Sequence, residues 1–238
     1  MQHPNPYRRP ASDLSTGPAS PGGSIEAALA GESYWETGQV MGEAWRILSG
    51  FKGAYWAGLL VYFLVSFAVS LAFALIAADD PIMMFLGEWA ASFVTMPILA
   101  GLYMIAIRHA VDLPVDASQV FVYFDRIVPL FLLFLLLSIL ITLGLVLLVL
   151  PGIYLAVAWF FAVPLMVEKK LGIWEALETS RKAVTRCWFR MFFLLLMLFL
   201  ITVASMIPLG LGLIWALPWA MLVLGVVYRE MFGVDETD

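Results

Sequence analysis

The sequence predicts an all-α polytopic membrane bundle of six transmembrane helices, joined on the cytoplasmic side by interfacial amphipathic helices. Three observations carry this. The chain is 63% hydrophobic and only 13% charged, with a mean hydropathy of +0.94, well beyond what a water-soluble core can absorb. Two uncharged runs, Ile127 to Val167 and Met191 to Tyr228, are each too long for one crossing of about 30 Å of hydrocarbon. Finally, the 13 Lys and Arg residues fall only in alternate connections between the spans.

The N-terminal 33 residues, beginning "MQHPNPYRRPASDLSTGPASPGGS", are rich in Pro, Ser, Gly and Ala and lack apolar periodicity. Residues 1–33 therefore read as a disordered cytoplasmic tail. No apolar segment follows Arg8-Arg9 closely, so the tail is not a signal peptide. Residues 34–232 read as the membrane domain, and residues 233–238 as a short acidic tail. The single cysteine, Cys187, excludes an intramolecular disulfide, and no Cys/His cluster suggests a metal site.

Spans are expected at 54–78, 82–107, 127–149, 153–168, 190–207 and 212–229. Prolines mark the breaks. Pro81 follows the acidic pair Asp79-Asp80, Pro151-Gly152 divides the first long run, and Pro208 lies in "IPLGLG", all with turn chemistry. The three turns they mark hold no Lys or Arg. Cations cluster instead before span one, between spans two and three, between four and five, and after six. Because cations are retained on the cytoplasmic side, both termini are expected there.

A threefold pattern runs through the chain. Each span after a proline turn holds an internal proline: Pro97, Pro164 and Pro218. Arg108 and Arg229 follow Pro97 and Pro218 at the same offset. Each pair of spans is preceded by an amphipathic segment, clearest in "GIWEALETSRKAVTRCWF". This suggests a repeat of interfacial helix, span, span. Internal prolines kink helices, which serves packing or opens a cavity.

Few residues suggest chemistry. Glu88 is the one acidic residue placed within a span, and an intramembrane carboxylate is a candidate functional group. It could equally lie at headgroup depth beside Trp89. Lys169, Lys170, Lys182 and Arg186 could contact anionic lipid headgroups, as well as setting topology. There is no phosphate-binding loop, catalytic triad motif, metal motif or nucleic-acid module. No cofactor is expected.

The stretch from Met96 to Leu196 contains "MPILAGLYMIAIRHA", "FVYFDR" and "LVLPGIYLAVAWFFAVPLMVEKKLGIWEALETSRKAVTRCWFRMFFLLL". It resembles a broad group of bacterial six-span integral membrane proteins, and is similar to the membrane domain fused to some glycerophosphodiester phosphodiesterases. The resemblance implies a bacterial inner membrane. It carries over no activity, because the shared motifs hold no catalytic residues. The expectation is a non-catalytic module for assembly, anchoring or lipid contact. Its partners would be the bilayer, anionic lipids, and a membrane-protein partner or a second copy of the chain. The alternative is a small transporter or channel using kinked spans two, four and six and Glu88.

Overall fold

The computed structural model describes residues 22–76 and 80–235. Among these the chain is all helical, without strands. A short helix α1 (Ile25–Ala30) precedes α2 (Thr37–Ile76) and α3 (Pro81–His109). A 3-10 helix, Ala117–Arg126, leads into α4 (Ile127–Leu147), α5 (Val149–Ala158) and α6 (Ala162–Glu168). Then come α7 (Ile173–Arg186), α8 (Trp188–Ala204) and α9 (Leu213–Phe232). Five segments are long and apolar enough to cross a membrane: α2, α3, the 3-10 helix with α4, α5 with α6, and α9. The α7–α8 pair, bent by 94°, supplies a sixth. The protein is thus multi-pass by length and composition.

The hairpins have an inner and an outer helix. Over the most apolar stretch of each, α3 is 67% buried, α9 50% and α5–α6 44%, against 17% for α4 and 0% for α2. The second helix of each hairpin therefore builds the interior, and the first presents apolar side chains outward, as lipid solvation requires. The interior helices carry Pro97, Pro164 and Pro218, all buried. They pack where bulk is lacking: a Cβ on Gly225 of α9 would lie 2.7 Å from the Ala106 carbonyl oxygen of α3. Phe161, Tyr228 and Phe232 close the base of this interior, with ring centroids 5.2–5.8 Å apart.

Several elements depart from the sequence reading. The middle turn is not at Pro151-Gly152. The chain reverses at Leu148, the extended residue between α4 and α5 (φ −156°, ψ 129°), and Pro151 and Gly152 lie in the first turn of α5. Proline is tolerated there because a first-turn N–H has no helical acceptor. Gly152 sits against Gly144 and Leu145 of α4, where a side chain would collide. Its service is close packing of the hairpin. Pro81 opens α3 behind its N-cap Asp80, whose carboxylate accepts from the N–H groups of Ile82 and Met83. Asp79 lies outside the described residues. Pro208 does sit in the third turn, which passes through left-handed Leu209 (φ 54°) and Gly210 (φ 77°).

The three amphipathic segments also differ in form. The first is continuous with its span in the 40-residue α2, about 60 Å long. The second is the 3-10 helix. The third, α7, is a separate helix. The N-terminal tail was expected to reach residue 33. Instead Ile25–Ala30 is helical, capped by Ser24 and by left-handed Gly31 (φ 83°). It packs on α7 and α9, so apolar burial outweighs the polar composition around it. Residues 1–21 and 236–238 lie outside the described residues.

Span four is two helices. Pro164 has no N–H to return to Phe160, and the chain breaks at Trp159–Phe161. The groups this frees are bonded by Ser180 of α7. Its hydroxyl donates to the Ala158 carbonyl (2.9 Å) and accepts from the Phe161 N–H (3.2 Å), and it is fully buried. Ser180→Ala should cost about 1–3 kcal/mol by leaving both groups unpaired in an apolar setting. Thermal unfolding of the purified variant in detergent, compared with wild type, measures it.

Candidate functional site

The segment before α2, the end of α3, the end of α6 and the end of α9 meet at one end of the bundle. Arg229, in the last turn of α9, makes a two-pronged pair with Glu43 of α2 (2.7 and 2.9 Å). It also donates to the Ala110 carbonyl beyond α3 (2.5 Å) and to Glu230 (2.6 Å). One guanidinium thus ties three helices, and its fork geometry suits the task. The Arg229 carbonyl accepts from the Gly23 N–H (2.9 Å), and the Met231 carbonyl from the Ser33 hydroxyl (3.1 Å). The segment before α2 is thereby strapped across the same end.

Beside this lies a carboxylate that the sequence reading passed over. Glu168, at the end of α6, is 4% exposed. It accepts from the Tyr228 hydroxyl and from the Asp235 N–H, both at 2.7 Å. Lys169 reaches Glu168 (3.4 Å) and the Asp235 carboxylate (2.7 Å). The network docks the described part of the C-terminal tail onto α6 and α9. A sequence signal existed: an acidic residue directly between an apolar span and two lysines adds nothing to a topology signal. Its partners Tyr228 and Asp235, 60 and 67 positions away, were invisible.

The four lysine and arginine candidates separate. Lys169 is engaged as described, its side chain only 8% exposed. Lys170 is exposed on a left-handed residue (φ 54°) after α6. Lys182 and Arg186 are exposed along α7. Lys182 lies 3.3 Å from Glu178, which also holds Arg181 through two bonds of 2.7 and 2.9 Å. Glu88 is exposed on the outer part of α3, lining a groove of about 260 Å³ against Phe67, Ser70 and Phe73 of α2. It is not gathered with the buried prolines. Among the described residues no three His, Cys, Asp or Glu side chains converge as a metal-ligand set.

At the α7–α8 elbow, Cys187 turns the chain through 94°. A groove of about 740 Å³ opens there. Leu150, Ile153, Trp188 and Phe189 form its apolar wall, and Thr185, Arg186 and Arg190 its polar one. Tyr154 fixes the elbow to α5: its hydroxyl bonds Thr185 (2.8 Å), and its carbonyl accepts from the Trp188 indole (3.3 Å). Arg190 donates to the Trp35 carbonyl (3.2 Å), with its guanidinium 4.7 Å from the Tyr34 ring centre.

The pairing on α7 has a pH signature. Hydrogen bonding to Arg181, then to Lys182, holds the Glu178 carboxyl at about 2, below its ordinary value. Its contribution to stability is therefore full above the unfolded-state value near 4.3 and is lost as the pH falls toward 2. Being partly exposed, the pair is screened and its contribution modest. Glu178→Gln should flatten the fall in thermal midpoint between pH 5 and pH 2, most visibly at low salt. No family model, curated protein or solved structure matches this chain, so the functional reading rests on geometry.

Proposed function

We propose that the chain is a non-catalytic multi-pass module of the bacterial inner membrane, whose cytoplasmic, basic pole contacts anionic lipid. The observation that carries this reading is the arrangement of α7. Its exposed Lys182 and Arg186, with Lys170 just before it, lie on an amphipathic helix turned 94° from the apolar α8. A helix so placed suits the plane of the headgroups, where each cation adds about 1 kcal/mol on an anionic surface. Gly23 and Asp235, near either end of the described residues, bond at the same pole to the Arg229 carbonyl and to Glu168. The inner position of every proline-bearing second helix favours a threefold repeat, and the exposed apolar faces leave room for a membrane-protein partner or a second copy.

The transporter or channel alternative has less support. Pro97, Pro164 and Pro218 are packed into the interior, and Glu88 faces away from them.

Two measurements test this. In nanodiscs, adding phosphatidylglycerol to phosphatidylcholine should raise the thermal midpoint, and neutralising Lys170, Lys182 and Arg186 together to Gln should abolish the gain. An equal gain in the variant sinks lipid contact. In a Cys187→Ser background, Asp80→Cys and Gly210→Cys should react with an impermeant maleimide from outside intact cells. Lys170→Cys should react only after permeabilisation, and the reverse pattern overturns the orientation.

A further inference from the structure

We propose that the groove at the α7–α8 elbow is a binding site for one acidic phospholipid, its phosphate between Arg186 and Arg190 and an acyl chain along Leu150, Ile153, Trp188 and Phe189. This rests on the lipid-contact reading above and adds to it a discrete, saturable site.

Charge selects the anion. Two arginines, Arg186 and Arg190, line the groove, and no acidic residue does. Guanidinium is the side chain best matched to phosphate oxygens. Arg190 is held in place by the Trp35 carbonyl and the Tyr34 and Trp35 rings, so little of its freedom remains to be lost on binding. Arg186 is exposed at the end of α7, with its aliphatic stem beside Gly31. The first turn of α8 has no side-chain cap, and its residues Trp188, Phe189 and Arg190 line the groove.

The opposite wall selects an apolar companion to that anion. Leu150 is 79% and Phe189 72% exposed, and a free inorganic phosphate would leave both uncovered. Charge and apolar wall are adjacent at a bend where an amphipathic helix gives way to an apolar one, with Trp188 between them. Tryptophan favours this depth in a bilayer. The molecule whose own polarity changes over the same short distance is a lipid with a negatively charged headgroup. The bond from Tyr154 to Thr185 and the indole bond of Trp188 to Tyr154 keep the two walls in register.

The test uses the full chain in phosphatidylcholine nanodiscs doped with brominated lipid, read by tryptophan quenching. The Trp188 contribution is isolated by difference from Trp188→Phe. Brominated phosphatidylglycerol should quench Trp188 at about tenfold lower mole fraction than brominated phosphatidylcholine. Arg186→Gln should erase that preference, by the worth of one charge-assisted hydrogen bond, and Arg186→Lys should keep most of it. Inorganic phosphate should not relieve the quenching. Equal quenching by the two lipids, an unchanged Arg186→Gln, or relief by inorganic phosphate each overturns the site. If Arg186→Gln does not fold, Leu150→Glu, which brings a carboxylate to the groove mouth, should abolish the preference, and its retention overturns the proposal. The Lys170→Gln/Lys182→Gln pair leaves the groove intact. Loss of the phosphatidylglycerol stabilisation in that pair, with no preference at Trp188, would leave general lipid contact standing and remove the discrete site alone.

Discussion

Charge does not enter hydrocarbon cheaply, and in this chain that constraint orders the rest. Cation-bearing connections meet at one end through Arg229 and Lys169, and turns without Lys or Arg close the hairpins elsewhere. Once gathered, the charges need partners, since a partly buried ion left alone is costly. Arg229 with Glu43, and Lys169 with Glu168 and Asp235, are the result. These pairs join helices far apart in sequence, so the device that sorts the chain across a membrane also closes its base.

A second demand comes from the backbone. The interior helices carry prolines, and each proline deletes a hydrogen bond. At Pro97 and Pro218 the helix continues through the loss. At Pro164 it does not, and Ser180 from α7 bonds the exposed groups. The break therefore fixes where α7 must lie. That placement brings Thr185 to Tyr154 and Trp188 to the Tyr154 carbonyl, and so sets the elbow and its groove. A single missing N–H in span four thus propagates to the groove at the α7–α8 elbow.

Polar side chains that matter to the site proved to be of two kinds. Lys170, Lys182 and Arg186 were legible in the sequence because exposed cations beside an amphipathic pattern advertise themselves. Glu43, Glu168, Ser180 and Arg190 were not, because their significance lies in partners between 19 and 186 positions away. Lys169 shows the cost of reading charge alone. It has the same sequence context as Lys170 but is spent on an internal pair, because Asp235 happens to fold back beside it.

The sequence by itself determined the membrane class, the helical content, the hairpin plan and the segregation of charge. These follow from composition and from run length against bilayer thickness, which are local properties. Only the tertiary structure decided which helices are inner and which outer, that the middle turn falls at Leu148, and that α2 runs unbroken through its amphipathic start. It also decided that the elbow brings Arg186 and Arg190 beside an apolar wall. Those outcomes depend on which surfaces meet, at distances along the chain over which neither periodicity nor composition carries information.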